Sequence, residues 1–386
     1  MKKSLFFAAM ACIAFAGCTE DEVFNTDLNQ ERAIAFSAPV VTPNTRAAVE
    51  VGKIYDPSLE FNVWGWWYES DAFNNYASGA LYIKEATASY DGNTWYPKNT
   101  EGGYYYWPKN GSMTFLAYSP ASDKMKTAAE VDDGGLTLNN YVVSTKPSEM
   151  EDVMFSERVY DKISSTDNTY SGADAPYDGV DLLFRHALSS VVFNLKLDKE
   201  YKGTQVRIKS IILEDVASKA TFKQNLDDES GATTNLPTTT GTDTNSDIAA
   251  AWTGQDVDVD YSVDIVAAGY VLNNDASPAA YWPCTGDDVA PVYHGTDNDK
   301  FRYTDLMLIP QDLDGVTLKI LYTIKTTDSD ELDQVFTKTF TSSDIWKIGY
   351  RYIYNVTIGF DPITFAPKVS LWVDATSTDV LVEDYE

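Results

Sequence analysis

Apolar and polar residues alternate with a period of two through most of this chain, and no other feature constrains its fold as strongly. Val191, Phe193, Leu195 and Leu197 form one apolar row, and Val316, Leu318, Ile320, Tyr322 and Ile324 form another. Tyr350, Tyr352, Tyr354, Val356, Ile358 and Phe360 make a third, and Val369, Leu371 and Val373 a fourth. Successive side chains of a strand point to opposite faces, so each row predicts a strand with one buried and one wetter face, the signature of antiparallel sheets. Asp91-Gly92, Asn110-Gly111 and Asp314-Gly315 supply turn signals between such runs. Helical spacing is scarce, with short helices expected only at Asp123–Glu130 and Ser156–Lys162. The fold class is all-β sandwich with minor helix.

Two polar stretches divide the middle of the chain. Residues 161–179 are turn-rich, and residues 223–249 contain almost no apolar side chain, so both read as surface excursions rather than core. A domain boundary is expected near residues 190–200. Of 386 residues, 44 % are apolar and 13 % aromatic, enough to build a large core. The formal charge is 29 − 58 = −29, and after Lys2-Lys3 no two basic residues are adjacent. Nucleic acid and anionic lipid headgroups would be repelled by such a chain.

The first residues give an address. Lys2-Lys3 and the apolar run Leu5–Ala16 form a secretory signal too short to span a bilayer. Ala14-Phe15-Ala16-Gly17-Cys18 resembles a bacterial lipobox, which implies a signal peptide over 1–17 and lipidation of Cys18. Phe15 stands where the usual lipobox has Leu. Glu20-Asp21-Glu22 follows, similar to the surface-export signal of Bacteroidetes lipoproteins. Cys12 leaves with the signal, so Cys284 is the only thiol not accounted for and no intramolecular disulfide is expected.

No nucleophile elbow, phosphate loop or dinucleotide fingerprint is present, and His186 and His294 have no partner at metal-ligand spacing. No cofactor, metal or catalytic residue is expected, and the chain reads as a non-enzyme. Asp256, Asp258 and Asp260 share one strand face but lack the glycine and closing glutamate of a Ca²⁺ loop, so they read as a solvated, self-repelling row. The aromatic runs carry a rival function. Trp64, Trp66 and Tyr68 alternate with Phe61, Val63 and Trp67, and Tyr104-Tyr105-Tyr106-Trp107 is a second dense group. A row left exposed would stack on sugar rings, making the chain a glycan-binding surface lipoprotein.

Further motifs lie in order along the chain: Ala33-Ile34-Ala35-Phe36-Ser37 with Thr45-Arg46-Ala47, then Phe61-Asn62-Val63-Trp64-Gly65. Tyr106-Trp107-Pro108 precedes Phe115-Leu116-Ala117-Tyr118-Ser119-Pro120, and Leu183-Phe184-Arg185-His186-Ala187-Leu188-Ser189 follows. Leu308-Ile309-Pro310-Gln311 and Ile348-Gly349-Tyr350-Arg351-Tyr352 complete the set. With the lipobox, this series resembles the fimbrillin family of Bacteroidales, the subunits of type V pili. The resemblance implies two tandem transthyretin-like β-sandwich domains, 47–190 and 191–386, behind a propeptide over 18–46. It also implies an outer-membrane lipoprotein precursor, cut after Arg46 by an arginine-specific protease and then polymerised with other fimbrillin subunits into an extracellular fimbria. The cut would remove a plug strand, and the vacated groove would take a strand from another subunit. A surface ligand for adhesion belongs to the same expectation.

The residues suit that role. Ile34, Phe36, Ala38 and Val40 fall on one face by alternation, and Pro39 removes one ladder donor. Burial of four such side chains is worth roughly 6–12 kcal/mol before ordering costs. Thr42-Pro43-Asn44-Thr45 is turn-prone and protease-accessible in character, and Arg46 precedes the small pair Ala47-Ala48. Arg32 lies before the plug, so a cut there frees the lipid without opening a groove. At the other end, 366–374 reads as a closing strand and Ala375–Glu386 as the detachable donor.

Overall fold

The structure is a computed structural model that describes residues 33–37, 40–41, 53–54, 58–69, 79–108, 111–132, 135–163, 179–197, 203–225, 249–264, 270–271, 280–282, 305–327, 330–358 and 364–371. Among the described residues nearly all regular structure is β, in three sheets. The nine-stranded sheet runs Lys53–Ile54, Val40–Val41, Leu183–His186, Met154–Ser156, Ser112–Ser119, Phe61–Tyr68, Ala80–Tyr90 and Trp95–Pro97, with Val159–Ile163 also on Ser112–Ser119. A five-stranded sheet runs Ala280–Trp282, Ser189–Leu197, Tyr350–Ile358 and Thr364–Leu371, with Leu306–Leu308 also on Ser189–Leu197. The seven-stranded sheet is built on one strand, Thr204–Asn225, of 22 residues. At about 3.3 Å per residue that strand is roughly 70 Å long. Its first half pairs with Thr317–Thr326 and its second half with Gly135–Val142, so strands from before and after residue 190 share one sheet. The chain passes from the first sheet to the five-stranded one between His186 and Ser189.

Pairing is mostly antiparallel, as the alternation predicts, but Ser189–Leu197 runs parallel to Tyr350–Ile358 and Val40–Val41 parallel to Leu183–His186. A helix forms at Asp123–Ala128, started by the Ser122 hydroxyl, which accepts from the Met125 amide. The second expected helix is absent. Residues 154–163 form two strands instead, and Val159 and Lys162 pair with Phe115 and Met113. β-branched Val159 and Ile163 favour that outcome, and tertiary pairing overrides weak helical spacing.

Two hydrophobic cores result. The smaller contains Ile34, Phe36, Phe61, Val63, Trp95, Phe115 and Phe184 among others, all from residues before 190. The larger extends from Trp64 to Ile358. Strands Phe61–Tyr68 and Ser112–Ser119 lie between them and give one row to each core. Gly65 marks their close packing, since a Cβ there would stand 3.1 Å from Met113 Cε.

Candidate functional site

Residues 33–37 lie between the end strand Trp95–Pro97 of the first sheet and the backbone at Val180. On one side the Ile34 amide donates to the Tyr105 carbonyl at 2.7 Å, and the Phe36 amide to Trp95 at 2.8 Å. The Trp95 amide donates back to Phe36 at 3.0 Å. On the other side the Val180 amide donates to Ala35 at 2.8 Å, and the Ser37 amide to Val180 at 3.1 Å. Phe36 is therefore antiparallel to Trp95 and parallel to Val180 at once. Val40 and Val41 continue the contact, paired with Leu183 and Phe184. The segment joins the end strand Trp95–Pro97 to Val180, just before strand Leu183–His186, so the ladder closes there like a barrel.

Ile34 and Phe36 are fully buried at 0 % exposure in the smaller core. The Phe36 ring stands edge-on to Phe61 and Phe115, with centroids 5.7 and 5.4 Å away. Ala33 and Ala35 are buried too, so both faces of the segment are covered, not one as simple alternation predicts. The Ser37 hydroxyl donates to Asp181. Gly179 holds φ at +99°, and a Cβ there would come within 2.4 Å of the Ser37 nitrogen. Only glycine allows this backbone approach.

Ala38, Cys18, Arg46, Ala47, Cys284, His294 and the tail Ala375–Glu386 lie outside the described residues, as does the Val40 side chain. The structure thus places Ile34, Phe36 and the Val40 backbone in one groove. Sequence reasoning missed the walls: Trp95, Tyr105, Gly179, Val180 and Asp181. A lone glycine before an apolar strand, at Gly179-Val180, was the one available signal.

The aromatic expectation is corrected. Trp64 and Trp66 are 5 % and 7 % exposed, in the larger core, so that row presents no stacking surface. Phe61 and Val63 are buried in the other core. Of the second group, Trp107 is buried and Tyr106 exposed. Tyr82 donates to the Tyr106 carbonyl at 2.8 Å, and the Lys98 amine sits 3.4 Å above the Tyr104 ring. His186 is buried with Nδ1 2.8 Å from Asp152, a structural pairing. Asp256, Asp258 and Asp260 are all exposed on strand Ala249–Asp264. Among the described residues, no group of three or more His, Cys, Asp and Glu side chains could hold a metal ion, and no helix is long and apolar enough to cross a membrane.

The fold and site define a class: an all-β protein with an early strand lodged in a groove of its first sheet. A model of the fimbrillin-like family matches residues 45–372, and the chain belongs to that family. A fimbrial protein from Bacteroides vulgatus has a similar structure, with 15 % identity and a TM-score of 0.55, over 89 % of this chain and 100 % of that one. A candidate cell adhesion protein from Bacteroides ovatus is 12 % identical over 89 % of this chain and 98 % of its own, with a TM-score of 0.46. No protein of curated function matches the chain.

Proposed function

We propose that the chain is a structural and adhesive subunit of a type V fimbria. It reaches the cell surface as a lipoprotein anchored in the outer membrane through Cys18, and it polymerises by strand exchange after cleavage between Arg46 and Ala47. Other subunits and an arginine-specific protease are its partners, a surface ligand is the target of adhesion, and no catalytic step is required. The division into two sandwich domains, 47–190 and 191–386, belongs to the same proposal, with strand Gly135–Val142 crossing it to pair with Thr204–Asn225.

One observation carries this reading. Residues 33–37 are hydrogen-bonded on both sides and buried on both faces, yet they belong to a short stretch that a cut after Arg46 would separate from the rest of the sheet. Removing them leaves the Trp95 and Val180 backbones unpaired and opens an apolar slot. Both are costly in water, so the cut subunit binds a replacement strand by β-augmentation. The groove remains shut while the plug stays covalently attached.

The test compares two arginines in the native host. Arg46→Ala is expected to abolish fimbria formation while the protein still folds and reaches the surface, and Arg32→Ala to change neither. Equal polymer yield from Arg46→Ala would refute dependence on this cut. Cys18→Ala should leave precursor without lipid, and normal maturation of that variant would remove the anchor from the account.

A further inference from the structure

The edge of a sheet offers unpaired backbone to any strand that meets it, and most edges described in this fold are blunted. Lys53–Ile54, Trp95–Pro97, Ala129–Asp132 and Ala280–Trp282 end their sheets with strands of two to four residues. Thr364–Leu371 carries Pro367, which has no amide to donate. Ala249–Asp264 is interrupted by two register shifts and shows the exposed row Asp256, Asp258 and Asp260.

Strand Leu332–Thr339, at one end of the seven-stranded sheet, is different. It has eight residues and no proline, and it pairs with Thr317–Thr326 along its whole length without a register shift. Thr317–Thr326 is its single neighbour among the described strands. Phe336 packs against the larger core, whereas Leu332 and Val335, at 61 % and 59 % exposure, are the most exposed large apolar side chains among the described residues. Val335 stands opposite half-buried Leu321, which puts an apolar spot on the outer face beside the edge. Charge favours a second copy here. The chain carries −29 and repels itself, but residues 204–214, 317–326 and 331–339 hold five basic and three acidic side chains, a local 5 − 3 = +2. Two antiparallel strands related by a twofold axis keep their matching faces on one side only where a residue meets its own copy. With the axis at Val335, the midpoint of 331–339, Val335 meets Val335, Asp333 meets Thr337, and Leu332 meets the aliphatic stem of Lys338. No like charges oppose each other in that register.

We propose that Leu332–Thr339 is a self-association surface, which pairs antiparallel with the same strand of a second copy about a twofold axis at Val335. Two seven-stranded sheets then continue into one. The groove that holds residues 33–37 takes no part, so the uncut chain associates as well. Within fimbriae, a step that rests on the function proposed above, the same edge joins neighbouring fimbriae side by side.

The experiment is sedimentation velocity on the full chain carrying Arg46→Ala, a background that keeps the plug attached and separates this contact from strand exchange. A reversible monomer–dimer equilibrium is expected, with Kd on the order of 10–100 µM. Added salt should strengthen it, because screening weakens the repulsion between two acidic chains. Val335→Lys and Val335→Glu, added separately, each set like charges against each other at the axis and should weaken the dimer about tenfold or more. An equimolar mixture of the two variants should restore it, since Lys then meets Glu. Unfolding midpoints of both variants should stay near that of the parent, because the side chain is largely exposed. A chain that stays monomeric throughout would overturn the proposal, and so would a dimer that both variants leave intact. Failure of the mixture to restore the dimer would overturn the register at Val335. A dimer that weakens as salt rises would mean that the basic strip meets an acidic edge such as Asp256–Asp260, and would overturn the pairing of like strands.

Discussion

Val257 shows how local backbone geometry can work against a residue's own preference. It sits in strand Ala249–Asp264, which pairs antiparallel with Thr204–Asn225, with φ at 61°, a region where the β-branched side chain crowds the backbone. Its carbonyl accepts from the Ser218 hydroxyl at 2.8 Å and its amide donates to Asp256 Oδ1 at 2.8 Å, so two neighbouring side chains hold its main chain in the kink. The side chain is 49 % exposed and contributes little to the core. Val257→Asn is therefore expected to raise stability by about 0.5–1 kcal/mol, measured by denaturant unfolding. A loss of stability would mean that the Val257 side chain packs usefully. At this scale much of the site was legible: Ile34 and Phe36 stand out by composition and spacing. Gly179 is marked only by the apolar strand that follows it, and which backbone approaches it is set by the assembled sheet.

At the scale of elements, the alternating rows mark the strands Ser189–Leu197, Thr317–Thr326, Tyr350–Ile358 and Thr364–Leu371 but not which face of each is covered. Phe61–Tyr68 reads as a strand with one aromatic row too many, which is why exposed tryptophans and sugar stacking were a reasonable expectation. Both rows are buried because this strand lies between two cores, a placement that only the assembled sheets reveal. Ser156–Lys162 reads as helical for a related reason: short runs carry weak periodicity, and pairing with Ser112–Ser119 decides the state of this segment. The consequence is testable. Trp64→Ala should destabilise the fold by about 3–5 kcal/mol, seen as a lower unfolding midpoint. An unchanged midpoint would show that the ring contributes nothing to the core.

Across the whole molecule, the core is rich in tyrosine. Burial pushes the phenols of Tyr118, Tyr141, Tyr261 and Tyr354 above the usual tyrosine range. Tyr118 takes a hydrogen bond from Asn62 Nδ2 at 2.7 Å and donates to Glu85 at 2.8 Å, while Tyr354 accepts from Trp346 Nε1 at 2.8 Å. A group whose folded pKa lies above its unfolded value stabilises fully below the unfolded value and loses that contribution as pH rises past it. Stability should therefore hold through neutral pH and fall above roughly pH 10, where unfolded tyrosines ionise. Tyrosinate absorbance from these residues should appear together with loss of the β circular-dichroism signal. Their ionisation in a chain that stays folded would contradict this. What the sequence concealed at this scale is connectivity. Alternation names strand Thr317–Thr326, but nothing local says that it and Gly135–Val142 both lie along the roughly 70 Å strand Thr204–Asn225.

The central claim is that residues 33–41 are a removable strand whose departure exposes an assembly groove. The size of the purified full chain before and after cleavage at Arg46, with masses of the products, tests it most directly. The account predicts that the fragment ending at Arg46 dissociates and the remaining chain grows into multimers that resist SDS. A nicked chain that stays monomeric with the fragment still bound, or that releases it without assembling, would contradict the account.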